Sequence, residues 1–383
     1  MIENSHIEIN LSALKNNYTF IKDKLGNECE LVSVVKGNAY GHGIENFVPA
    51  ANHCGIKSFA VFSAFEAHKL QQLALPINRI LIMGYIDHDQ IEWAIVNGIE
   101  FYIFDTARLT HTINTAKKLN KKAKIHIEVE TGLNRTGFDT ESIEHVYQLL
   151  VAGAAYVEIK GLCSHLGGAE NSANFDRIRI QIERFNDYSV NFQKKQIHIE
   201  KKHLACSAAI INYPKTILDL ARIGIMQYGL WPSEAVRMAY FTHNKIEEDP
   251  LEPVLSWKSR VMSTKLVKKG EYIGYGLSLQ AEQDMLIATV PVGYADGFAR
   301  SLSNQGKVLI NGLRLDVIGI VNMNLFIVDA KNTQELSIGD EVVMIGKQGD
   351  RTISVASFSD FSNQLNYELL TRLPNDIPRI MTT

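Results

Sequence analysis

The amino-acid sequence predicts an α/β fold: an N-terminal parallel (β/α)8 barrel, the TIM barrel, followed by a C-terminal mostly-β domain. Three observations carry that prediction. Eight short apolar runs alternate with amphipathic helical patterns over the first two-thirds of the chain. An acidic stretch, NKIEEDP at 244–250, then interrupts the alternation. Beyond it the chain becomes a series of β-rich runs divided by turn signals. An open doubly wound sheet is the competing architecture for the alternating part.

Taken in order, strands are expected near 31–36 (LVSVVK), 58–62 (SFAVF), 79–84 (RILIMG), 100–104 (EFYIF), 124–130 (KIHIEVE), 157–163 (VEIKGLC), 202–206 (KHLAC) and 221–225 (ARIGI). Between them, GIENFVPAANHCG, DTARLTHTINTAKKL and NFDRIRIQIERFNDYSVNF carry the apolar spacing of helices. Eight such units fit a barrel of about 200 to 250 residues. Past the acidic stretch come VLSWKSRVMSTKLV, MLIATVPVG, LDVIGIV, LFIVDA and DEVVMIG, separated by KKGE, NGL and IGDE. They read as a β-barrel or sandwich of roughly 130 residues. SFSDFSNQLNYELLTRL reads as a closing helix, and no internal repeat or low-complexity segment is visible.

The bulk properties narrow the function. At 383 residues the chain exceeds one ordinary core, and its 46% hydrophobic and 21% charged residues are those of a soluble globular protein. A net charge of −3 gives no reason to expect nucleic acid or an anionic membrane as partner. The start, MIENSHIEINL, lacks a basic region followed by an apolar core, and no apolar run has the length of a membrane helix. The cysteines, Cys29, Cys54, Cys163 and Cys206, are sparse and scattered, as in a reducing cytoplasm. Cytoplasmic localisation is therefore expected.

In such a barrel, functional residues sit at the C-terminal ends of the strands, with phosphate bound after strands seven and eight. Lys36 is expected at the end of strand one, Arg135 (in ETGLNRTGF) after strand five and His165 (in CSHLGG) after strand six. Ser207 follows strand seven, and Arg222 and Gly224 lie at strand eight in ARIGIMQYG. Taken singly, each has an ordinary structural explanation, a surface ion pair or a satisfied core histidine. A lysine, two arginines and a histidine on one rim are harder to explain by packing. Small residues after strands seven and eight can expose backbone N–H groups to a phosphate. A lysine beside a phosphate site suggests a Schiff base, and pyridoxal 5′-phosphate has both the aldehyde and the phosphate. A class I aldolase would explain the lysine but not the arginines. Cys163-x-His165 and His203-x-x-Cys206 invite a zinc reading, but no metal-spacing motif supports it, and no metal is expected.

SVVKGNAYGHG, at 33–43, closely resembles the pyridoxal-lysine signature of alanine racemases. ETGLNRTGF, SHLGG, CSAA, RIGIMQYGL, GYGLS, VPVGYADGFAR and LNYELLTRLPNDIPR follow in that family's order, so the resemblance spans essentially the whole chain. It implies a barrel over 12–240 carrying the cofactor, and a β-domain, 241–383 together with 1–11, that completes the active site of the other subunit in a homodimer. Lys36 resembles the Schiff-base lysine and D-face base, and Tyr275 the L-face base contributed across the dimer. Tyr40, Ser207, Gly224, Ile225 and Tyr367 match the phosphate-binding set. Arg222 matches the arginine facing the pyridine nitrogen, and His165 the histidine linking it to the tyrosine. Arg135 and the backbone of Met323 match the groups holding the substrate carboxylate, and Tyr294 a tyrosine lining the entrance.

The chemistry suits these residue types. Racemisation takes an α-proton from one face and returns one on the other, which two opposed bases do more simply than one. Lysine and tyrosine both ionise near pH 10 when unperturbed, so both need tuning. An imidazole and Arg222 beside Tyr275 would lower its phenol, since nearby positive charge favours phenolate. Arginine can only donate, so the ring nitrogen stays unprotonated and the cofactor is a weaker electron sink.

Three positions depart from the family pattern. Glu128 stands where a carbamylated lysine is usual, Cys206 where Asn is usual, and Asn324, beyond Asn322 and Met323, where Asp is usual. Glu128 supplies negative charge without CO₂, so activity should be indifferent to bicarbonate. Rescue of a CO₂-depleted sample by added bicarbonate would refute this. The changes surround the carboxylate and side-chain pocket, so they bear on substrate rather than on reaction type. The implied activity is interconversion of L- and D-alanine, supplying D-alanine for peptidoglycan. Racemisation of serine or a broader range, a decarboxylase of the related fold, or a non-catalytic cofactor carrier are the alternatives.

Overall fold

The computed structural model describes residues 4–331, 333, 335–357 and 366–383. The chain forms two compact units: Ala13–Gly37 with Val48–Glu252, and Met1–Ser12 with Asn38–Phe47 and Pro253–Thr383. The helix Glu234–Asn244 runs across residue 240, and the chain passes from one unit to the other at Glu252/Pro253.

The first strand, β1 (Ser5–Asn10), belongs to the second unit. The first unit is a closed parallel barrel of β2 (Glu30–Val34), β3 (Ser58–Val61), β4 (Arg79–Ile82), β5 (Glu100–Ile103), β6 (Ala123–Glu128), β7 (Val157–Cys163), β8 (Lys202–Cys206) and β9 (Leu220–Ile223), with β9 pairing back on β2. The expected (β/α)8 barrel is thus the observed one, and the open sheet is not. All residues of β3, β5 and β9 are buried, because helices cover the outer face and side chains fill the inner one.

The turns into the helices carry their own start signals. Ser63 Oγ accepts from the Glu66 amide at 3.3 Å, Asp105 accepts from the Arg108 amide at 2.8 Å, and Asp87 forms a reciprocal capping box with Gln90. Gly98 and Asn120 end two of these helices in the left-handed conformation.

The second unit is a ten-stranded sheet, mostly antiparallel. It contains β10 (Leu255–Arg260), β11 (Ser263–Val267), β12 (Met285–Val290), β13 (Lys307–Ile310), β14 (Leu313–Ile318), β15 (Phe326–Asp329), β16 (Glu341–Gln348), β17 (Arg351–Ile353) and β18 (Arg379–Thr382). Although first in sequence, β1 lies between β10 and β18, antiparallel to one and parallel to the other. Asn311 and Gly312 turn β13 into β14, both with positive φ, as a two-residue hairpin requires. Phe298 stacks on Phe326 at 4.4 Å in the core beside Trp257. Of the closing helix expected over 357–373, Asn366–Thr371 is observed, while 358–365 lie outside the described residues. No helix among the described residues is long and apolar enough to cross a membrane.

Candidate active site

Seven of the expected site residues, Lys36, Arg135, His165, Ser207, Arg222, Gly224 and Ile225, lie in the barrel unit. Tyr40, Tyr275, Tyr294, Met323 and Tyr367 lie in the β unit.

Lys36 does not end a strand as the sequence suggested. Strand β2 stops at Val34, Val35 still donates its amide to the Ala60 carbonyl at 2.8 Å, and Lys36 then opens a single helical turn to Tyr40. That turn is left-handed: φ is 62° at Gly37, 54° at Asn38, 54° at Ala39, 51° at Tyr40 and 80° at Gly41. Each non-glycine residue in this conformation costs about 1–2 kcal/mol. The Gly37 amide donates to Glu66 Oε1 at 2.7 Å on the barrel side. Burial, reinforced by the Arg135 guanidinium and opposed by Glu66, holds the Lys36 amine below the ordinary lysine range. An amine that is more often neutral is a better nucleophile and base.

Arg222, on β9, is buried and held from several sides. Its Nη1 donates to His203 Nδ1 at 2.6 Å and to the His203 carbonyl at 3.0 Å; its Nη2 donates to the carbonyls of Ser164 at 2.7 Å and Leu204 at 3.4 Å. A guanidinium has five N–H donors, and these four contacts engage the terminal nitrogens, leaving Nε–H for a further acceptor. Ser207, buried at the start of the helix Ser207–Asn212, accepts on Oγ from the Gly224 amide at 3.1 Å. Ile225 opens a short helical turn directly after Gly224, where leading N–H groups lack intrahelical partners.

Half-buried His165 follows β7. Burial, then the charges of Arg222, Arg135 and Lys36, push its imidazole down to about 3, so it is neutral at neutral pH. Being neutral, the imidazole adds no positive charge of its own to those of Arg222, Arg135 and Lys36, so the part expected of it from the sequence in lowering a phenol falls to the other groups. Arg135 is exposed in the loop after β6. Glu130 organises that loop, accepting the amides of Gly132 and Asn134. Glu128 is buried and accepts from Thr136 Oγ1 at 2.8 Å. Burial raises its carboxyl, while Thr136, Arg135 and Arg222 oppose the rise.

In the β unit the rest of the left-handed turn is clamped. Arg379 donates to the Gly41 carbonyl at 2.9 Å and, through Nη1, to the carbonyls of Pro374, Asn375 and Ile377. Asn38 Nδ2 donates to Asn375 Oδ1 at 2.7 Å, and Tyr40 packs against Tyr367 with ring centroids 5.9 Å apart. A Cβ on Gly41 would sit 1.8 Å from the Leu370 carbonyl oxygen, and φ there is +80°. Gly41→Ala is therefore expected to destabilise the protein by about 3 kcal/mol or more, measurable by urea unfolding; an unchanged midpoint would refute the clamp. Tyr275 stands between Gly274 and Gly276, both left-handed, and is exposed. The amides of Tyr294 and Ala295 donate to the carbonyls of Asn322 and Met323, so the Tyr294 and Met323 loops are locked together.

Buried neutral histidines make this fold sensitive to acid. His42 is buried with Nδ1 3.0 Å from the Ala39 and Tyr40 carbonyls, and burial pushes it down to about 4; burial and Arg222 hold His203 well below the ordinary range. The unfolded chain takes up these protons near pH 6.5 and the native state does not, so stability is full above that value and falls below it. His42 alone is expected to lose about 2 kcal/mol by pH 5. Melting temperatures that hold constant from neutral pH to pH 5 would refute this.

Sequence reasoning missed His126, Glu100 and Arg79, which continue inward from His203. Their signal was present: charged and imidazole side chains inside otherwise apolar strands, as in KIHIEVE, EFYIF and RILIMG.

Comparison with known proteins agrees with this geometry. Residues 9–232 match the family model for the alanine racemase N-terminal domain, and residues 254–381 that for the C-terminal domain. The alanine racemase of Methanococcus maripaludis is 34% identical over 375 residues, covering 97% of this chain and 97% of the relative. Among solved structures, the Bacillus anthracis alanine racemase with bound L-Ala-P has a TM-score of 0.90 at 30% identity, covering 100% of this chain and 96% of that one. The Bartonella henselae alanine racemase with covalently bound pyridoxal phosphate has a TM-score of 0.85 at 26% identity, with 100% of both chains covered. Family models matching both halves, and relatives of like length at this identity, fix the assignment. The chain belongs to the alanine racemase family.

Proposed function

We propose that this protein interconverts L- and D-alanine by two-base proton transfer, using pyridoxal 5′-phosphate held in the barrel. The observation that carries the reading is a lysine of lowered basicity on the same barrel rim as a buried arginine whose terminal nitrogens are engaged and the Ser207–Gly224 pair. These residues fit the cofactor. Lys36 would offer the amine for its aldehyde, Arg222 has Nε–H left for its ring nitrogen, and the Ser207 hydroxyl, Gly224 and the leading N–H groups from Ile225 onward would hold its phosphate. Tyr40 and Tyr367, packed together, are assigned to the same phosphate. Bound there, pyridoxal 5′-phosphate supplies an aldehyde for an amine and a ring that draws electron density from an amino acid's α-carbon.

The chain's own residues then do the rest. Lys36 Nζ takes the α-proton on the D-face and returns one to that face in the reverse direction. Tyr275 of the partner subunit does the same on the L-face through its phenol oxygen. Each turnover therefore moves one proton off one face and one onto the other, with no net gain or loss. Arg222 stays protonated and only donates, which limits how much negative charge the ring accepts. Arg135 and the Met323 backbone hold the substrate carboxylate, Glu128 supplies the anion near Arg135, and Tyr294 restricts the entrance to small side chains.

Shared sites imply a homodimer. A cytoplasmic protein supplying D-alanine for peptidoglycan is the setting we infer, supported by four unpaired cysteines. The test is polarimetry of the cofactor-loaded protein with L-alanine, L-serine and a diamino acid. Rotation is expected to decay to zero fastest with alanine. Decay only with serine would move the substrate, and release of CO₂ from the diamino acid without racemisation would overturn the reaction type.

A further inference from the structure

Behind Arg222 the barrel interior holds a line of polar side chains that the racemisation chemistry does not use. Arg222 Nη1 meets His203 Nδ1 at 2.6 Å, His203 Nε2 meets His126 Nδ1 at 2.8 Å, and His126 Nε2 meets Glu100 Oε2 at 2.7 Å. Glu100 Oε2 also accepts from Arg79 Nε at 2.8 Å, and Arg79 Nη1 reaches Glu30 Oε1 at 2.6 Å. Arg222, His203, His126, Glu100 and Arg79 are all buried. Glu30, Arg79 and Glu100 are the first residues of β2, β4 and β5, so the line runs from the N-terminal end of the barrel to the arginine near its C-terminal end.

The proton positions along this line follow from its two ends. A guanidinium only donates, so His203 Nδ1 must accept and neutral His203 carries its hydrogen on Nε2. That hydrogen points at His126 Nδ1, which must accept in turn, so His126 carries its hydrogen on Nε2 and gives it to Glu100. From Arg222 to Glu100 every hydrogen bond thus runs in one direction, from a cation to an anion, and Arg79 donates to that anion from the other side. Burial holds both imidazoles below their ordinary range, opposed at His126 by Glu100 and reinforced at His203 by Arg222. The Glu100 carboxyl is raised by burial, but His126 and Arg79 outweigh this and keep it ionised. Tyr102 lies 6.1 Å from each imidazole ring and is raised by burial, so it stays a neutral phenol.

The backbone makes room for the pair. The β6–β7 register shifts between Ile125 and His126, which pairs His126 with Gly161 rather than Lys160. A Cβ on Gly161 would lie 2.2 Å from His126 Nδ1 and 2.7 Å from His203 Nε2. Only glycine at that position leaves the two imidazoles in contact.

We propose that His203, His126 and Glu100 are positioning residues that lock the orientation of Arg222 through this one-way string, so that its free Nε–H is presented to the ring nitrogen of the cofactor. The proposal rests on the proposed racemase function for what Arg222 meets, but the string itself is a property of the chain alone. A protonated His203, or its Nδ1–H tautomer, would set a donor against the guanidinium and turn it out of line. The wrong imidazole tautomer beside a reacting group is costly for this reason.

The test has two parts. In the full-length protein without cofactor, nitrogen-15 NMR should find His203 and His126 both as Nε2–H tautomers, still neutral below pH about 6.5, where a free imidazole protonates. An Nδ1–H tautomer at either residue overturns the proposal. In the cofactor-loaded protein, Gly161→Ala should lower kcat about tenfold, the lower end of what losing an orienting partner costs. KM should stay within about twofold while the cofactor's visible absorbance shifts, since ring-nitrogen contact, not substrate binding, is disturbed.

If Gly161→Ala does not fold, the Glu100 pair carries the test. Glu100→Gln keeps a carbonyl acceptor for His126 and should retain both tautomers and most of kcat, whereas Glu100→Leu should lose both. Equal loss in the two overturns the proposal. Correct tautomers in a protein that racemises no amino acid would leave the string standing and remove the racemase function instead. Racemisation with the other tautomers would do the reverse.

Discussion

Lys36→Ala is expected to lower racemisation by about 10⁴-fold or more, the upper end of what one general base supplies, because the same substitution also removes the cofactor's covalent anchor. Arginine should not rescue it: a guanidinium stays protonated and can neither take the α-proton nor join the aldehyde. Folding should survive. The Lys36 amine is held below its ordinary range by burial, so its charge costs the folded state, and the melting temperature of Lys36→Ala should stay level or rise. The measurement is kcat on protein of verified fold with the cofactor's visible absorbance recorded alongside. Activity within about a hundredfold of the parent, beyond what two-base catalysis allows, would remove Lys36 from its assigned role.

Tyr275→Phe is expected to cost about 10²–10⁴-fold in kcat, with an asymmetry that a structural role would not produce. Lys36 would still exchange the α-proton of D-alanine with solvent, while inversion to L-alanine fails. Tyr275 is 72% exposed, so stability should change by no more than about 0.5 kcal/mol. Mixing Lys36→Ala with Tyr275→Phe protein sharpens the test. If each site takes its lysine from one subunit and its tyrosine from the partner, hybrid dimers contain one intact site, and about one quarter of parental activity returns at random assortment. No recovery after demonstrated subunit exchange would place both bases in one chain.

Much of the fold was legible because the barrel's strands are short apolar runs with capped helices between them, and each run falls within a residue or two of the strand observed. The ends were less legible. VVK reads as one continuous strand to Lys36, but pairing ends at Val35 because the next residues turn left-handed. Two glycines and an asparagine in KGNAYG hint at that turn; Ala39 and Tyr40 do not. They are held there in part by Asn375 and Arg379, more than 330 residues away in sequence. Local propensity carries no trace of such a contact.

The neutral state of His165 was hidden for a similar reason: it depends on burial and on three cations, one in the turn after β2, one in the loop after β6 and one on β9. His203 was noticed for a metal spacing, whereas in the fold it serves as an acceptor for Arg222. A polar residue inside a buried strand announces that it has a partner, but the partner's identity comes only with strand order.

Two-base racemisation at Lys36 and Tyr275 stands or falls on incubating the cofactor-loaded protein with L-alanine in heavy water. Proton NMR follows the α-proton while a chiral assay follows handedness. D-alanine is expected to appear carrying deuterium at the α-carbon, because the proton taken on one face and the one delivered on the other belong to different groups. D-alanine that keeps its original α-proton would mean a single group carries it across, and the two-base assignment would be wrong.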